Sequence, residues 1–395
     1  MKKANQEESR QHNSRLVFNT IYQKNEISRV EIARLTGLTR TTVSEIVAEL
    51  IERRLVVESG QAASTGGKPA TLLQVAAQEH LLAGVDLANS QWRAALVDLR
   101  GQIVQRAGVN LAEGDRPAAL ELLFELLDSL LAQARRPVLG IGIGVPGVVA
   151  AQAGLVRRAV NLGWQDLPLA EQVTARYQLP VYLSNDSQAA ARGEYMFGAQ
   201  AGRQNLVLIQ AGRGIGAGLI LNGSLFYGDQ GAAGEIGHIQ IDPAGAVCRC
   251  GKRGCLETIV GTPALLRQAK DQLASNPDTP LAALYRQAGR LDTALLLQAY
   301  RQDDPLVKAL VERAGRTLGR AAAPLVSALD IHHLVIAGSL SQFGSTLAEA
   351  LRDSLKVALL PGQADAIQVS ISGLGDEIVI LGAASLVLKH ELGLL

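Results

Sequence analysis

All three cysteines of the chain lie within eight positions of the segment VCRCGKRGCLE, residues 247–257. Three cysteines at this spacing do not suit a disulfide framework, so we expect a reduced cluster that binds a metal or reacts. Nine residues separate His238 from Cys248, which brings one imidazole and three thiols into one short segment. A reduced cluster also predicts a cytoplasmic protein.

One histidine and three thiolates are a complete tetrahedral ligand set for zinc. Gly251 and Gly254 would let the short loop fold its sulfur atoms around one ion. Because four protein ligands leave no coordination position for water, we expect a structural zinc rather than a Lewis acid. The alternative is a group of incidental buried thiols. The predicted ligands are His238, Cys248, Cys250 and Cys255.

Two helix starts follow each other near the N-terminus. Ser28 and Glu31 have the spacing of a capping box, and Thr39 is the candidate N-cap of the next helix. That helix has one apolar stripe and one polar face, which is typical of a helix that enters a DNA major groove. The predicted DNA-contacting residues on it are Thr39, Arg40, Thr41, Ser44 and Glu45.

Two β-prone runs, residues 55–60 and 70–75, are joined by QAASTGGKP, which predicts a hairpin with Lys68 near its tip as a further DNA contact. Helices, turn and hairpin together predict a winged helix-turn-helix domain over residues 1–78. The arrangement resembles the N-terminal domain of the ROK family of repressors, open reading frames and kinases. The resemblance implies double-stranded DNA as a partner.

Residues 79–395 form the second predicted domain, which is of the α/β class. Units of strand, turn and strand occur at residues 81–104 and 205–228, with helix-forming stretches between and after them. Two such units predict two similar lobes around a cleft, the architecture of the actin and sugar-kinase fold (ribonuclease H-like). Fold alone does not settle function.

Short motifs of this body also resemble the ROK family: GVPG, NLGW, LSNDSQAAARGE, GEIGH and GCLE. In ROK sugar kinases the matching side chains hydrogen-bond the sugar hydroxyls, and the matching aspartate is the general base. Polyols need several fixed donors and acceptors, which this set supplies. Taken singly, its members could equally be helix caps, turn residues or surface charges. The implied sugar-binding residues are Asn161, Asn185, Asp186, Glu235, His238 and Glu257.

The resemblance implies that His238 serves both the zinc site and the sugar site. The ROK signature has the cysteine spacing of this chain, and the matching histidine also touches sugar. We therefore expect zinc to fix the position and tautomer of His238 in an effector pocket. The zinc loop, residues 238–255, would then hold a ligand site in shape.

The nucleotide-binding loops depart from the kinase pattern. Residues 86–91 read DLANSQ where the family kinases have Asp-x-Gly-Gly-Thr-Lys, and residues 212–216 read GRGIG where Gly-Thr-Gly-Ile-Gly is usual. The adenosine-side turn, often Gly-Gly-Gly, is Ala-Gly-Ser at residues 337–339. Backbone N–H groups cradle phosphate only where side chains do not intrude, so these changes argue against ATP. Asp186 would then bind a hydroxyl without acting as a base, although Arg213 can attract a phosphate.

Three functions stay open. The favoured one is a non-enzymatic, sugar-responsive repressor of carbohydrate-use genes, of the xylose-repressor or N-acetylglucosamine-repressor type, released from its operator by a monosaccharide such as xylose or glucose. The second is an ATP-dependent sugar kinase of the ROK family with an added DNA-binding domain, in which Asp186 would be catalytic. The third is a body that receives another protein. We expect a homodimer, or a tetramer, on a pseudo-palindromic operator.

The composition is compatible with these functions. The chain has 395 residues, is 48% hydrophobic and has a net charge of +1, which allows sizeable cores and two or three domains. No apolar run approaches the about 18 residues needed to span a bilayer, and no charged leader precedes an apolar stretch. We therefore expect no membrane association.

Overall fold

The computed structural model describes residues 6–62, 69–88, 91–111 and 118–394. The chain divides into two compact units. The first combines Met1–Ile143, Pro168–Leu183 and Ala383–Leu395, and the second combines Gly144–Leu167 and Ser184–Gly382. None of the helices in the described ranges has both the length and the hydropathy needed to cross a bilayer.

The N-terminal part of the first unit is a small helical domain with a three-stranded antiparallel sheet in the order β1-β3-β2. Ser28 and Glu31 form the predicted capping box, and Thr39 Oγ1 accepts a hydrogen bond from the backbone N–H of Thr42 at 3.2 Å. The predicted winged helix-turn-helix is confirmed. Its elements are α1 (Gln6–Lys24), β1 (Ile27–Ser28), α2 (Arg29–Thr36), α3 (Arg40–Glu52), β2 (Val56–Gln61) and β3 (Thr71–Val75).

Burial explains why α3 presents one face to solvent. Val43, Ile46, Val47 and Leu50 of α3 are buried, as the apolar stripe predicts. They belong to a core that also contains Phe18 and other apolar residues of α1 and α2. The polar residues of α3 are therefore left on the opposite, outer face. The hairpin tip, residues 63–68, lies outside the described residues, and Lys68 with it.

The rest of the first unit is built around a five-stranded sheet in the order β11-β7-β4-β5-β6. β4, β5 and β6 pair antiparallel. Residues 76–80 connect β3 to β4. We propose that the boundary between the DNA-binding domain and the body lies in this connection, between residues 78 and 79. The strands are β4 (Leu81–Asp86), β5 (Gln91–Asp98), β6 (Ile103–Asn110), β7 (Val138–Val145) and β11 (Val181–Asn185), and the helices are α4 (Ala119–Leu131), α5 (Leu169–Tyr177) and α14 (Ile378–Leu392).

Helix α1 is anchored to this lobe through residues in its C-terminal half. The Asn19 side-chain amide donates to the backbone carbonyl of Gly393 at 2.8 Å, beside the buried Leu394. The Tyr22 hydroxyl donates to the carbonyl of Leu99 at 2.9 Å, and Arg100 donates to the carbonyl of Tyr22 at 2.7 Å. Burial raises the pKa of Tyr22 to about 12, so its hydroxyl stays protonated as this contact requires. The DNA-binding domain and the first lobe accordingly form one compact unit.

The second unit has its own five-stranded sheet in the order β14-β13-β12-β15-β16. β12 and β13 are antiparallel, whereas β12, β15 and β16 run parallel. A smaller antiparallel sheet has the order β10-β9-β8. The strands are β8 (Val148–Ala150), β9 (Leu155–Ala159), β10 (Trp164–Leu167), β12 (Leu206–Ala211), β13 (Ile215–Leu221), β14 (Ser224–Leu225), β15 (His333–Ala337) and β16 (Gln368–Ile371).

Helices cover this second sheet, and α11 packs along α12. Asp304 is fully buried and joins two of the helix starts: its carboxylate accepts from Val307 N at 2.9 Å and from Leu281 N at 2.7 Å. The predicted α/β body with two lobes is confirmed. The helices are α6 (Asp186–Phe197), α7 (Glu257–Val260), α8 (Thr262–Leu273), α9 (Pro280–Ala288), α10 (Thr293–Arg301), α11 (Pro305–Leu329), α12 (Gly344–Ala358) and α13 (Pro361–Ala366).

Candidate metal centre, effector site and DNA-binding surface

The four predicted metal ligands converge within the second unit. One ligand atom from each of His238, Cys248, Cys250 and Cys255 lies within 4.8 Å of the others. Cys248 Sγ is 3.6 Å from His238 Nδ1, and Cys250 Sγ is 3.7 Å from Cys255 Sγ. Tetrahedral zinc, with bonds of about 2.3 Å to sulfur and about 2.0 Å to nitrogen, separates its ligand atoms by about 3.5–3.8 Å. The donor set and its spacing therefore fit a zinc ion.

The loop reaches this shape through two close backbone approaches. Gly254 has φ +61°, and a Cβ on it would lie 1.5 Å from the carbonyl oxygen of Asp242. The Gly251 N–H donates to the Cys248 carbonyl at 2.9 Å, which closes a tight turn between the first two thiols and the third. No side chain larger than glycine fits at residue 254 without moving the backbone. The loop is thus shaped by its backbone to bring its sulfur atoms together.

Burial opposes the ionisation of two of the three thiols. Burial raises the pKa of Cys248 and of Cys255 above the ordinary thiol value. Burial also raises the pKa of Cys250, but hydrogen bonds from the Lys252 N–H and neighbouring groups outweigh it, and the net pKa is lowered. A bound dication would hold all three as thiolates and offset the cost of burying them.

His238 lies between two carboxylates. Its Nε2 is 3.6 Å from Glu235 Oε2, and its Nδ1 is 3.8 Å from Glu257 Oε1. Burial raises the pKa of Glu235, against a lowering by His238. Asn185 Nδ2 joins the group through Glu235 Oε1 at 3.4 Å. We call Asn185, Glu235, His238 and Glu257 the polar cluster, and it brings four of the six predicted sugar ligands together.

Asn185 and Asp186 stand at the start of α6. Asn185 Oδ1 accepts from the N–H groups of Ser187 and Gln188 at 2.9 and 3.1 Å, so Asn185 is the N-cap of α6. Its Nδ2 also donates to the Gly147 carbonyl at 2.9 Å. The side chain is therefore already engaged in the fold, and a sugar contact from it stays a prediction. Asp186 is half-buried, and its Oδ1 accepts from Ser187 N at 2.8 Å.

The sixth predicted ligand, Asn161, contacts the zinc loop instead of the carboxylates. Its Oδ1 accepts a hydrogen bond from Arg249 Nη1. Arg249 stands between Cys248 and Cys250 and is exposed apart from this contact. Sequence reasoning did not single out Arg249, and the available signal was a cation placed between two predicted metal ligands. The contact links the zinc loop directly to a predicted sugar ligand.

The loops that bind nucleotide in kinases have other contacts here. Asp86, at the end of β4, is 1% exposed, and its carboxylate accepts from Ala88 N at 2.9 Å and from Arg93 Nη2 at 3.1 Å. In the second unit, Arg213 is exposed in the turn between β12 and β13. Ser339 Oγ is 3.1 Å from Thr262 Oγ1. Residues 89 and 90 of the first loop lie outside the described part of the chain.

The predicted DNA-contacting residues lie at the exposed N-terminal end of α3. Thr39, Arg40, Thr41, Ser44 and Glu45 are all exposed. Helical spacing places Thr41 and Glu45 opposite the buried stripe, one turn apart. Lys68 cannot be placed, because it lies outside the described residues. The surface has the polar side chains that base edges in a major groove require.

Comparisons with known proteins cover both parts of the chain. The family model described as "ROK family" matches residues 82–390, and the model "Winged helix-turn-helix DNA-binding" matches residues 10–57. The xylose repressor of Caldicellulosiruptor bescii is 32% identical over 387 residues, 97% of each chain. The solved structure of a ROK family transcriptional regulator, a homolog of the E. coli MLC protein, has a TM-score of 0.83 at 28% identity and covers 97% of this chain and 96% of its own.

A solved kinase structure matches the body without the N-terminal domain. It is a ROK family glucokinase from Streptomyces griseus in complex with glucose and AMPPNP, 30% identical with a TM-score of 0.71. The match covers 78% of this chain and 98% of the glucokinase. The body is therefore similar to that of a sugar kinase as well as to that of a regulator.

Proposed function

This chain belongs to the ROK family and is a DNA-binding transcriptional regulator of it, and from that premise we propose that it is a repressor that a sugar releases from its operator. The proposal is carried by one observation: the chain combines a helix-turn-helix whose second helix exposes polar side chains with a polar cluster built around His238, which also belongs to the candidate metal site. One module would bind DNA, and the other would bind the signal.

We assign zinc to His238, Cys248, Cys250 and Cys255 in a structural role. The 3.6 and 3.7 Å ligand separations support this assignment. Zinc would supply the positive charge that keeps the thiols ionised, and it would orient His238 through Nδ1. His238 Nε2, together with Glu235 and Glu257, would then face the effector.

We propose an aldose, such as xylose or glucose, as the effector. Support comes from the carboxylate, imidazole and amide groups, which pair with vicinal hydroxyls. The similar proteins include examples for a pentose and for a hexose: one is named a xylose repressor, and one structure is a glucokinase with glucose bound. Asp186 and Asn161 would add contacts, and Arg249 would hold Asn161 in place.

We propose that the chain transfers no phosphate. The Asp86 carboxylate accepts hydrogen bonds from Arg93 and Ala88, so a cation of the protein already neutralises it. Arg213 places a long side chain where a kinase loop needs close backbone approach to phosphate. The similarity to the glucokinase keeps the kinase as the second candidate.

An operator titration tests both candidates at once. The purified chain binds labelled operator in a mobility-shift assay, with and without a panel of aldoses, and each sample is repeated with ATP. We expect one aldose to weaken DNA binding without ATP, and no sugar phosphate to form in a coupled assay. Release that requires ATP, or phosphorylation at an ordinary kinase rate, would establish the kinase instead.

A further inference from the structure

We propose that Glu45 reads a cytosine in the operator, so that each half-site carries a cytosine at a fixed position opposite the second turn of α3. The inference rests on the proposed insertion of α3 into the major groove. It adds the identity of a base that the recognition helix selects.

The position of Glu45 on the helix is the first step. The buried residues Val43, Ile46 and Leu50 mark the side of α3 that packs on the domain. At 100° per residue, Glu45 lies on the opposite side of the helix, one turn after Thr41. Glu45 is exposed and belongs to the N-terminal half of the helix, the half from which recognition helices contact base edges. Its carboxylate therefore faces the groove floor when α3 is inserted.

The second step is that this carboxylate has no partner among the described residues of the protein. Glu49, one turn further along α3, contacts Arg10, and Glu58 of β2 pairs with Arg29 at 2.9 Å. Glu31 is used in the capping box. Among the residues that the structure describes, Glu45 has no hydrogen bond or ion pair. A free negative charge on a surface that meets phosphates opposes binding to any DNA, unless a base edge hydrogen-bonds it.

Base chemistry then selects the partner. An ionised carboxylate only accepts hydrogen bonds. In the major groove, guanine and thymine present acceptors, which repel it, and adenine presents an N7 acceptor beside its N6 donor. Cytosine presents its N4 donor without a purine N7 beside it. Glu45 would therefore favour cytosine both by attraction to cytosine and by repulsion from the keto bases.

Selection from a random double-stranded library tests the inference with the full chain. Wild type, Glu45→Gln and Glu52→Gln are each taken through the same rounds. Glu52→Gln removes the same charge near the C-terminal end of α3 and is the matched control. We expect wild type and Glu52→Gln to enrich one half-site with cytosine at one position. Glu45→Gln should change that position to adenine, because a glutamine amide pairs with adenine N6 and N7.

Mobility-shift titrations then measure the preference. Replacing that cytosine by guanine, with its partner base exchanged, should weaken wild-type binding about 5- to 150-fold. Glu45→Gln should bind the cytosine operator no more tightly than the guanine operator. If wild type selects a site and Glu45→Gln selects the same site with the same base, the inference is overturned while the DNA-binding function stands. If wild type enriches no sequence, both the inference and the proposed function fail.

Discussion

The two ring nitrogens of His238 have different neighbours, and from this difference we propose two roles for the residue, metal ligation and effector binding. Nδ1 faces Cys248 Sγ at 3.6 Å, whereas Nε2 faces Glu235 at 3.6 Å. A metal on Nδ1 fixes the tautomer in which Nε2 carries the proton. Nε2 can then donate to a carboxylate or to a sugar hydroxyl, but it cannot accept.

We predict about one zinc per chain, lost on Cys250→Ser. A serine hydroxyl is a poor zinc ligand, and three remaining ligands leave the site open. Metal analysis of freshly purified, tag-free protein measures the ratio. Arg253→Ala is the matched control, because Arg253 is exposed in the same loop and is not a ligand. Wild type without zinc, or Cys250→Ser with its full complement, would refute the assignment.

We predict that Arg249→Ala weakens binding of the effector sugar about 2- to 10-fold, the range expected for one hydrogen bond. The guanidinium of Arg249 holds Asn161 Oδ1, and without it the Asn161 amide is free to turn away. The measurement is a ligand titration followed by thermal shift, with the aldose found active in the operator assay. Unchanged affinity in Arg249→Ala would show that the contact does not serve the effector site. Arg253→Ala should bind sugar as wild type does.

Sequence reasoning identified the four residues that converge in the candidate metal site, because donor type and spacing mark them in the sequence. It could not decide the role of Asn185, because an N-cap and a sugar ligand use the same side-chain oxygen. It missed Arg249, because the sequence does not show which residue a loop arginine contacts in the folded protein. The polar cluster joins Asn185 to residues at least 50 positions further along the chain, and only the tertiary structure supplies these distances.

Among the elements, two helices of the second unit share one buried carboxylate at their starts. Asp304 accepts the N–H of Val307 at the start of α11 and the N–H of Leu281 at the start of α9. The residue has no exposed surface, so water cannot replace it. It therefore joins two helices that are separate in sequence.

We predict that Asp304→Ala lowers the free energy of unfolding by about 2–4 kcal/mol, because two buried donors lose a charged acceptor. Denaturant or thermal unfolding measures the change. The adjacent Asp303→Asn is the control: Asp303 is exposed and pairs with Lys308, and Asn tolerates its φ of 59°, so the loss of its charge should change stability little. Equal effects of the two substitutions would contradict the role given to Asp304.

The sequence predicted the helices and strands of the DNA-binding domain better than those of the body. Ser28, Glu31 and Thr39 mark their helix starts with local signals, and the structure has both caps. The long helix α11 contains Pro324 in its interior, which is a breaker by local rules. Packing of α11 against α12 and the sheet outweighs that local preference, and local patterns do not carry such information.

For the whole molecule, we predict that Asp186→Asn abolishes the response to sugar and leaves operator affinity unchanged. The substitution removes a charged acceptor beside the polar cluster and does not touch α3. In wild type the effector should weaken operator binding about 5- to 150-fold, and operator DNA must weaken effector binding by the same factor. Parallel operator titrations with and without sugar measure both proteins.

Asp278→Asn is the control for this experiment, since Asp278 is exposed in the loop before α9. It should respond to sugar as wild type does. A normal sugar response in Asp186→Asn would exclude Asp186 from the effector site. A loss of operator affinity without sugar would mean that the substitution acts through folding instead.

The hydrogen bond between Asn19 and Gly393 joins residues 374 positions apart. During synthesis, at about 5–20 residues per second, the ribosome makes Gly393 roughly 20–75 s after Asn19. Helix α1 emerges long before the segment that completes its packing exists. A nascent chain can therefore expose the recognition helix α3 while α1 has only its contacts with Leu99 and Arg100, and the second contact of α1 with the first lobe forms only after Gly393 has been made.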